Sequence, residues 1–186
     1  PPIQTWTRRM LLPAFAPRAV ASHQAYTEAL CHELIDGFIE TGQCDAAVQY
    51  SQQIPPRVIA HLIGVDPGMA DQFVDWVNRL LGEAMVDPED RLQARNELVG
   101  FITAEVHKRM EDPQEDLLTE LLFMELDDPG AKITPEVVVG ITNLLIVAGI
   151  DTTWSSIGSA LWHLGTYPHD RERLVNEPEI LPTAIE

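Results

Sequence analysis

Thr134-Pro135-Glu136-Val137-Val138-Val139-Gly140-Ile141-Thr142-Asn143-Leu144-Leu145-Ile146-Val147-Ala148-Gly149-Ile150-Asp151-Thr152-Thr153 opens on a helix start, runs through a long apolar body and turns abruptly polar. Thr134 can cap the helix, and Pro135 suits the first turn, where its missing N–H costs nothing. Val137 to Ile150 is apolar on every side, broken only by Gly140, Thr142 and Asn143. A helix apolar all round is a buried one. Carried on to Pro168 it would be roughly 50 Å long at about 1.5 Å per residue, enough to cross a domain.

Partway along, this helix gives up stability. Gly149, a poor helix former, stands beside a carboxylate, Asp151, and two hydroxyls, Thr152 and Thr153. Glycine loses backbone entropy in a helix, and threonine can bond the carbonyl one turn back. A carboxylate in apolar surroundings must be hydrogen-bonded, paired or shifted in pKa. The expectation is a helix locally opened at Gly149, a feature often found at functional sites. The alternative is a satisfied polar patch where the helix surfaces.

The rest of the chain reads at helical period. Thr5 to Leu12 is a short stretch ended by Pro13. From Arg18 to Glu40 one helix is expected, with Tyr26, Leu30, Leu34 and Phe38 every four residues and Thr41-Gly42-Gln43 as its end. Asp45 can cap the next, which Pro55-Pro56 would bend or interrupt. Gly64 to Gly68 is a turn. Further helices follow around Met69–Leu81, Leu92–Met110 and Leu117–Leu126, and beyond Pro168 come His169–Asn176 and a last one from Pro182. No convincing alternating strand is present. The expected fold is all-α, a long buried central helix surrounded by shorter ones.

The composition is that of a globular chain, 45% hydrophobic and 22% charged. A length of 186 residues allows one sizeable core. The net charge of −17 argues against nucleic acid and anionic membrane as partners. No uninterrupted apolar run of about 18 residues is present, and Asp151 falls where a span would have to continue. The opening residues lack the basic and apolar regions of a signal peptide. Cys31 and Cys44 are too few for a disulfide framework and lack metal spacing, so a reduced cytoplasmic setting is the default and no metal site is expected within these residues. His32-Glu33 begins like a zincin motif, but Asp36 stands where the second histidine belongs.

Ala148-Gly149-Ile150-Asp151-Thr152-Thr153 after an apolar helix resembles the central-helix signature of the cytochrome P-450 family, Ala/Gly-Gly-x-Asp/Glu-Thr-Thr/Ser. Flanking segments are similar in the same order: residues 1–17 with Arg8, residues 55–65 with His61-Leu62-Ile63-Gly64-Val65, Ile133-Thr134-Pro135-Glu136, and the tail from Trp162-His163-Leu164 to Ile185-Glu186. The resemblance implies a single partial domain over residues 1–186, the helical middle portion of that fold. The family's N-terminal sheet region and its C-terminal glycine-rich loop, which carries the sulfur ligand of the haem, would both lie outside it.

It further implies that the full-length protein is a haem-thiolate monooxygenase, inserting one oxygen atom of O2 into a hydrophobic small molecule. The cofactor would be haem b, and electrons would come from a ferredoxin- or flavin-type donor. Asp151 and Thr152 would be catalytic, delivering protons during oxygen activation, with Ala148 and Gly149 forming the dioxygen groove. Arg8 would hold a haem propionate, and Gln4 stands where the family has a histidine or tryptophan partner. Leu144, Val147, Leu81 and Met85 would line the substrate pocket, although plain core is the simpler reading of Leu144 and Val147. Arg8 and Arg9 could also meet an acidic redox partner. Lacking the sulfur ligand, these residues alone would be inactive. The competing expectation is a non-catalytic helical interaction module with this fold and no haem.

Overall fold

The computed structural model describes residues 2–82, 87–127 and 130–185. Among the described residues there is no strand, and the all-α expectation holds. The helices are α1 (Pro2–Leu11), α2 (Pro17–Ser22), α3 (Gln24–Asp36), α4 (Ile54–Leu62), α5 (Ala70–Leu81), α6 (Pro88–Glu111), α7 (Leu117–Phe123), α8 (Pro135–Thr166), α9 (Pro168–Asn176) and α10 (Leu181–Ile185). Short 3-10 turns and one π-helical turn, Ala47–Ser51, join them.

Local chemistry sets most of these boundaries. The Thr134 hydroxyl accepts from the Val137 N–H at 3.4 Å, and Pro135 follows at the first helical position of α8. Asp87 caps α6 and Asp116 caps α7 in the same way, through backbone N–H groups two or three residues on. Asp45 accepts from the Ala47 and Val48 N–H groups, as its position implied. Pro55-Pro56 does interrupt: the chain leaves the π turn and restarts as α4 with both prolines in its first turn, where their lost donors cost nothing. The single helix expected from Arg18 to Glu40 is instead two, α2 and α3, broken at His23. There the Ser22 hydroxyl bonds the Ala19 carbonyl at 2.6 Å and competes with the helical ladder.

α8 is the spine. At 32 residues it is about 48 Å long, and α4, α5, α6 and α7 all pack along it. The core between them is built from Phe73, Val77, Leu98, Ile102, Val106, Leu118, Leu121, Ile146 and Ile150, each at most 1% exposed. Trp6 and Met10 fasten α1 to the same core. α8 is the one described helix long and apolar enough to cross a membrane by length and composition, and 33% of its apolar window is buried, so the neighbouring helices cover part of it.

Its burial is one-sided, unlike the all-round burial its composition implied. Val138, Ile141, Thr142, Ile146, Ile150 and Trp154 face the neighbouring helices, whereas Leu144 is 62% exposed and Gly140, Ala148 and Thr152 also lie open. Among the described residues the surrounding helices cover one flank of α8.

Two ion networks tie the shorter helices together. Arg109, 6% exposed on α6, donates to Asp116 at 2.8 Å, to Glu105 and to the Gly64 carbonyl. It thereby joins α6, the head of α7 and the turn after α4. Gly64 is required there: its φ of +71° is a left-handed conformation, and a side chain would run into Asp116. On the surface, Arg79 of α5 reaches Asp75, Asp90 and Glu97, and the Trp76 indole N–H donates to Glu97 at 3.0 Å.

Candidate functional site

Leu144, Ala148 and Thr152 recur every fourth residue and so fall on one side of α8, the open side. This strip is apolar, with only a methyl group at its centre, and ends in a hydroxyl. Thr152 is exposed, and its Oγ1–H donates to the Ala148 carbonyl at 2.7 Å. One turn on, the Ser156 hydroxyl donates to the Thr152 carbonyl at 2.8 Å. A carbonyl can only accept, so the single hydroxyl hydrogen of Thr152 is committed to Ala148, and its lone pairs face outward.

Asp151 is half-buried and makes no side-chain hydrogen bond or ion pair among the described residues. No fully buried side-chain oxygen or nitrogen among them lacks a partner, so its carboxylate reaches water. It is neither paired nor bonded, because the helix surfaces at this point.

The helix is not opened at Gly149. α8 runs unbroken from Pro135 to Thr166, which corrects the expected local loosening. Gly149 sits on the packed flank: a methyl added there would lie 2.9 Å from Cδ1 of Ile59 on α4. Of the residues assigned to a dioxygen groove, Ala148 is on the open strip and Gly149 is half-buried against α4.

The remaining candidates are more dispersed. Gln4 and Arg8 lie one turn apart on the exposed face of α1, opposite Trp6 and Met10. Arg8 makes no ion pair among the described residues, and no hydrogen bond there joins either to Asp151 or Thr152. Val147 is half-buried against the core, as the simpler reading had it, while Leu144 is not core at all. Leu81 ends α5 at 39% exposed. Met85 lies outside the described residues. A groove of about 740 Å³ begins at Ser156 and runs between α8, Leu174 and Ile185, and none of the pocket candidates lines it.

Neither cysteine pairs. Cys31 meets the Tyr50 hydroxyl, which is pushed up to about 12 first by burial and then by that bond. Cys44 is exposed. No group of three or more His, Cys, Asp or Glu side chains that could hold a metal ion is found among the described residues.

The family model described as Cytochrome P450 matches residues 57–182, more than half of the chain and all of the α8 site. This chain belongs to the cytochrome P450 family. Among its P450 relatives, the mycinamicin IV hydroxylase/epoxidase of Micromonospora griseorubida is 29% identical over 100% of this chain and 47% of its own length. The 6-deoxyerythronolide B hydroxylase of Saccharopolyspora erythraea is 31% identical over 100% of this chain and 46% of its own. Of the solved P450 structures, the LnmA hydroxylase of the leinamycin biosynthetic pathway of Streptomyces atroolivaceus superimposes with a TM-score of 0.91 at 27% identity, covering 100% of this chain and 47% of that one. The chain thus spans about half the length of the relatives it matches, and its helical fold is that of the corresponding portion of a P450.

The open strip fits a haem in part. An apolar row with a methyl at its centre can lie against a planar macrocycle, and the exposed Arg8 can take a carboxylate in a two-pronged, charge-assisted bond. Neither Cys31, half-buried on α3, nor Cys44, in an exposed loop, lies on the open strip of α8.

Proposed function

We propose that this chain is the central helical portion of a soluble, cytoplasmic haem-thiolate monooxygenase that oxidises a hydrophobic small organic molecule with O2 and electrons from a ferredoxin- or flavin-type donor. One observation carries the proposal: an acid and an alcohol, Asp151 and Thr152, stand beside the open strip of an otherwise apolar helix. A bare scaffold has no need of that pair there. Family membership and the named hydroxylase relatives support it.

Haem, when bound, supplies dioxygen activation, and its sulfur ligand pushes electron density towards O–O cleavage. The chain's own residues do the rest. Leu144 and Ala148 present the apolar surface, Ala148 being small enough to leave room above it. The Thr152 Oγ1 accepts a hydrogen bond on the open side, because its own hydrogen stays with the Ala148 carbonyl. The Asp151 carboxylate, about 100° further round the helix and in contact with water, would exchange protons with solvent beside that open side. Arg8 holds a propionate, and Gln4 beside it contributes a neutral amide. Leu144 and Leu81 contribute to the substrate side. By itself the chain lacks the thiolate and is inactive.

The test is Thr152→Ala in the full-length protein. Product formation should fall roughly a hundredfold, the lower end of what a positioned proton-transfer group contributes, while NAD(P)H oxidation continues and peroxide is released. Unchanged coupling would remove Thr152 from this role. A reduced, well-folded full-length protein with no carbon-monoxide difference spectrum would remove the enzyme altogether.

A further inference from the structure

Gly149 has a partner on the packed side of α8. The Cδ1 atom of Ile59, from α4, lies 2.9 Å from where a Gly149 Cβ would stand, with Cγ1 at 4.0 Å. Approach under about 3 Å is a clash for a real methyl, whereas the second distance is ordinary contact. Cδ1 is the free end of the Ile59 side chain and can yield only by turning about χ2, and because Ile59 is 7% exposed that turn is made against packed neighbours. The next residue along α8, Ile150, is fully buried. The turn carrying Ala148, Asp151 and Thr152 is therefore held from behind by α4 at a distance that only a missing side chain permits, while its front stays open.

We infer that Ile59 is a positioning residue for the acid–alcohol turn, seated in the notch left by Gly149. The inference rests on the reading of Asp151 and Thr152 given above and adds a residue outside the central helix. Gly149 serves α4 from behind, and the room on the open side comes from Ala148.

A double-mutant cycle in the full-length haem protein tests it. Ile59→Val removes Cδ1, the one atom in conflict, and keeps the rest of the contact. Gly149→Ala should push the turn out of place and lower coupled product formation about tenfold, since displacements of about an ångström near reacting atoms cost up to about a hundredfold. Its melting temperature and its substrate-induced absorbance shift should fall as well. Ile59→Val alone, which empties part of the notch, should lower product formation by about threefold, and the double variant should recover both melting temperature and absorbance shift relative to Gly149→Ala, with product formation within about threefold of the parent.

A double variant no better than Gly149→Ala overturns the inference, as does a Gly149→Ala protein indistinguishable from the parent. Failure of the underlying chemistry shows separately: Thr152→Ala with intact coupling would sink the proton-delivery role. The melting temperature and absorbance shift of the cycle would still decide whether Ile59 positions the turn.

Discussion

Replacing Arg109 by Met should be among the most damaging single changes in the chain. The guanidinium is 6% exposed and its partner Asp116 is 6% exposed, so removing it leaves a nearly dry carboxylate without its cation, while Glu105 keeps Lys108. Breaking a buried ion pair from one side costs about 3–5 kcal/mol, mostly as the stranded charge. With a urea dependence of about 2 kcal/mol per molar, the unfolding midpoint should drop by roughly 2 M. Adding Asp116→Asn should recover part of the loss, because Asn carries no charge and can still cap α7 through its side-chain oxygen. The assay is urea unfolding followed by far-ultraviolet circular dichroism. An unchanged midpoint, or a double variant no more stable than Arg109→Met, would refute the reasoning.

His61 is exposed, yet partial desolvation where its ring stacks on Tyr26 holds the imidazole below its ordinary pKa, and the nearby His23 adds to the effect. The folded state therefore resists protonation, so this contribution is complete above about pH 6.5 and is lost as pH falls through the lowered value; His61→Gln should flatten the stability profile across that window in a urea series. Leu144 is 62% exposed on the open strip and Val147 packs on the core. Leu144→Ala in the full-length protein should change the substrate-induced absorbance shift with a melting temperature near the parent's, whereas Val147→Ala should lower the melting temperature; the reverse pattern would mean that the two flanks of α8 have been misjudged. Thr134→Ala should cost about 1 kcal/mol by loss of the α8 cap, read as a lower urea midpoint, and Thr134→Ser should restore it.

What could be read in advance was what neighbouring residues settle among themselves. Asp45 as a cap, Pro55-Pro56 as an interruption and Thr134-Pro135 as a helix start each depend on atoms within a few residues, and each is where it was expected. The His23 break was missed because the four-residue apolar period runs straight through it, while the Ser22 hydroxyl bond that ends α2 leaves no periodic trace. Arg109 and Asp116 are separated by a proline-containing loop, and the Gly64 carbonyl is 45 residues from Arg109. Nothing local marks that arginine as buried. The site divides along the same line. The hexapeptide placed Asp151 and Thr152 on the central helix, whereas the reason for Gly149 lies on α4, far away in sequence.

The opposed flanks of α8 account for how a helix can carry polar groups in an apolar body without coming apart. Gly149 and the threonines would each weaken an isolated helix, yet α8 stays continuous because its other flank is locked by Ile146, Ile150 and Trp154 against the neighbouring helices. The Thr152 hydroxyl then bonds inward to Ala148 at no loss to the ladder, since a carbonyl has a second lone pair for it. The bond also fixes the direction in which the hydroxyl oxygen faces. A broken helix would leave that direction free, and a helix buried all round would close it off. An intact helix with one open flank gives Thr152 a fixed acceptor oxygen beside an apolar surface, where it can take a hydrogen bond from a donor on that side.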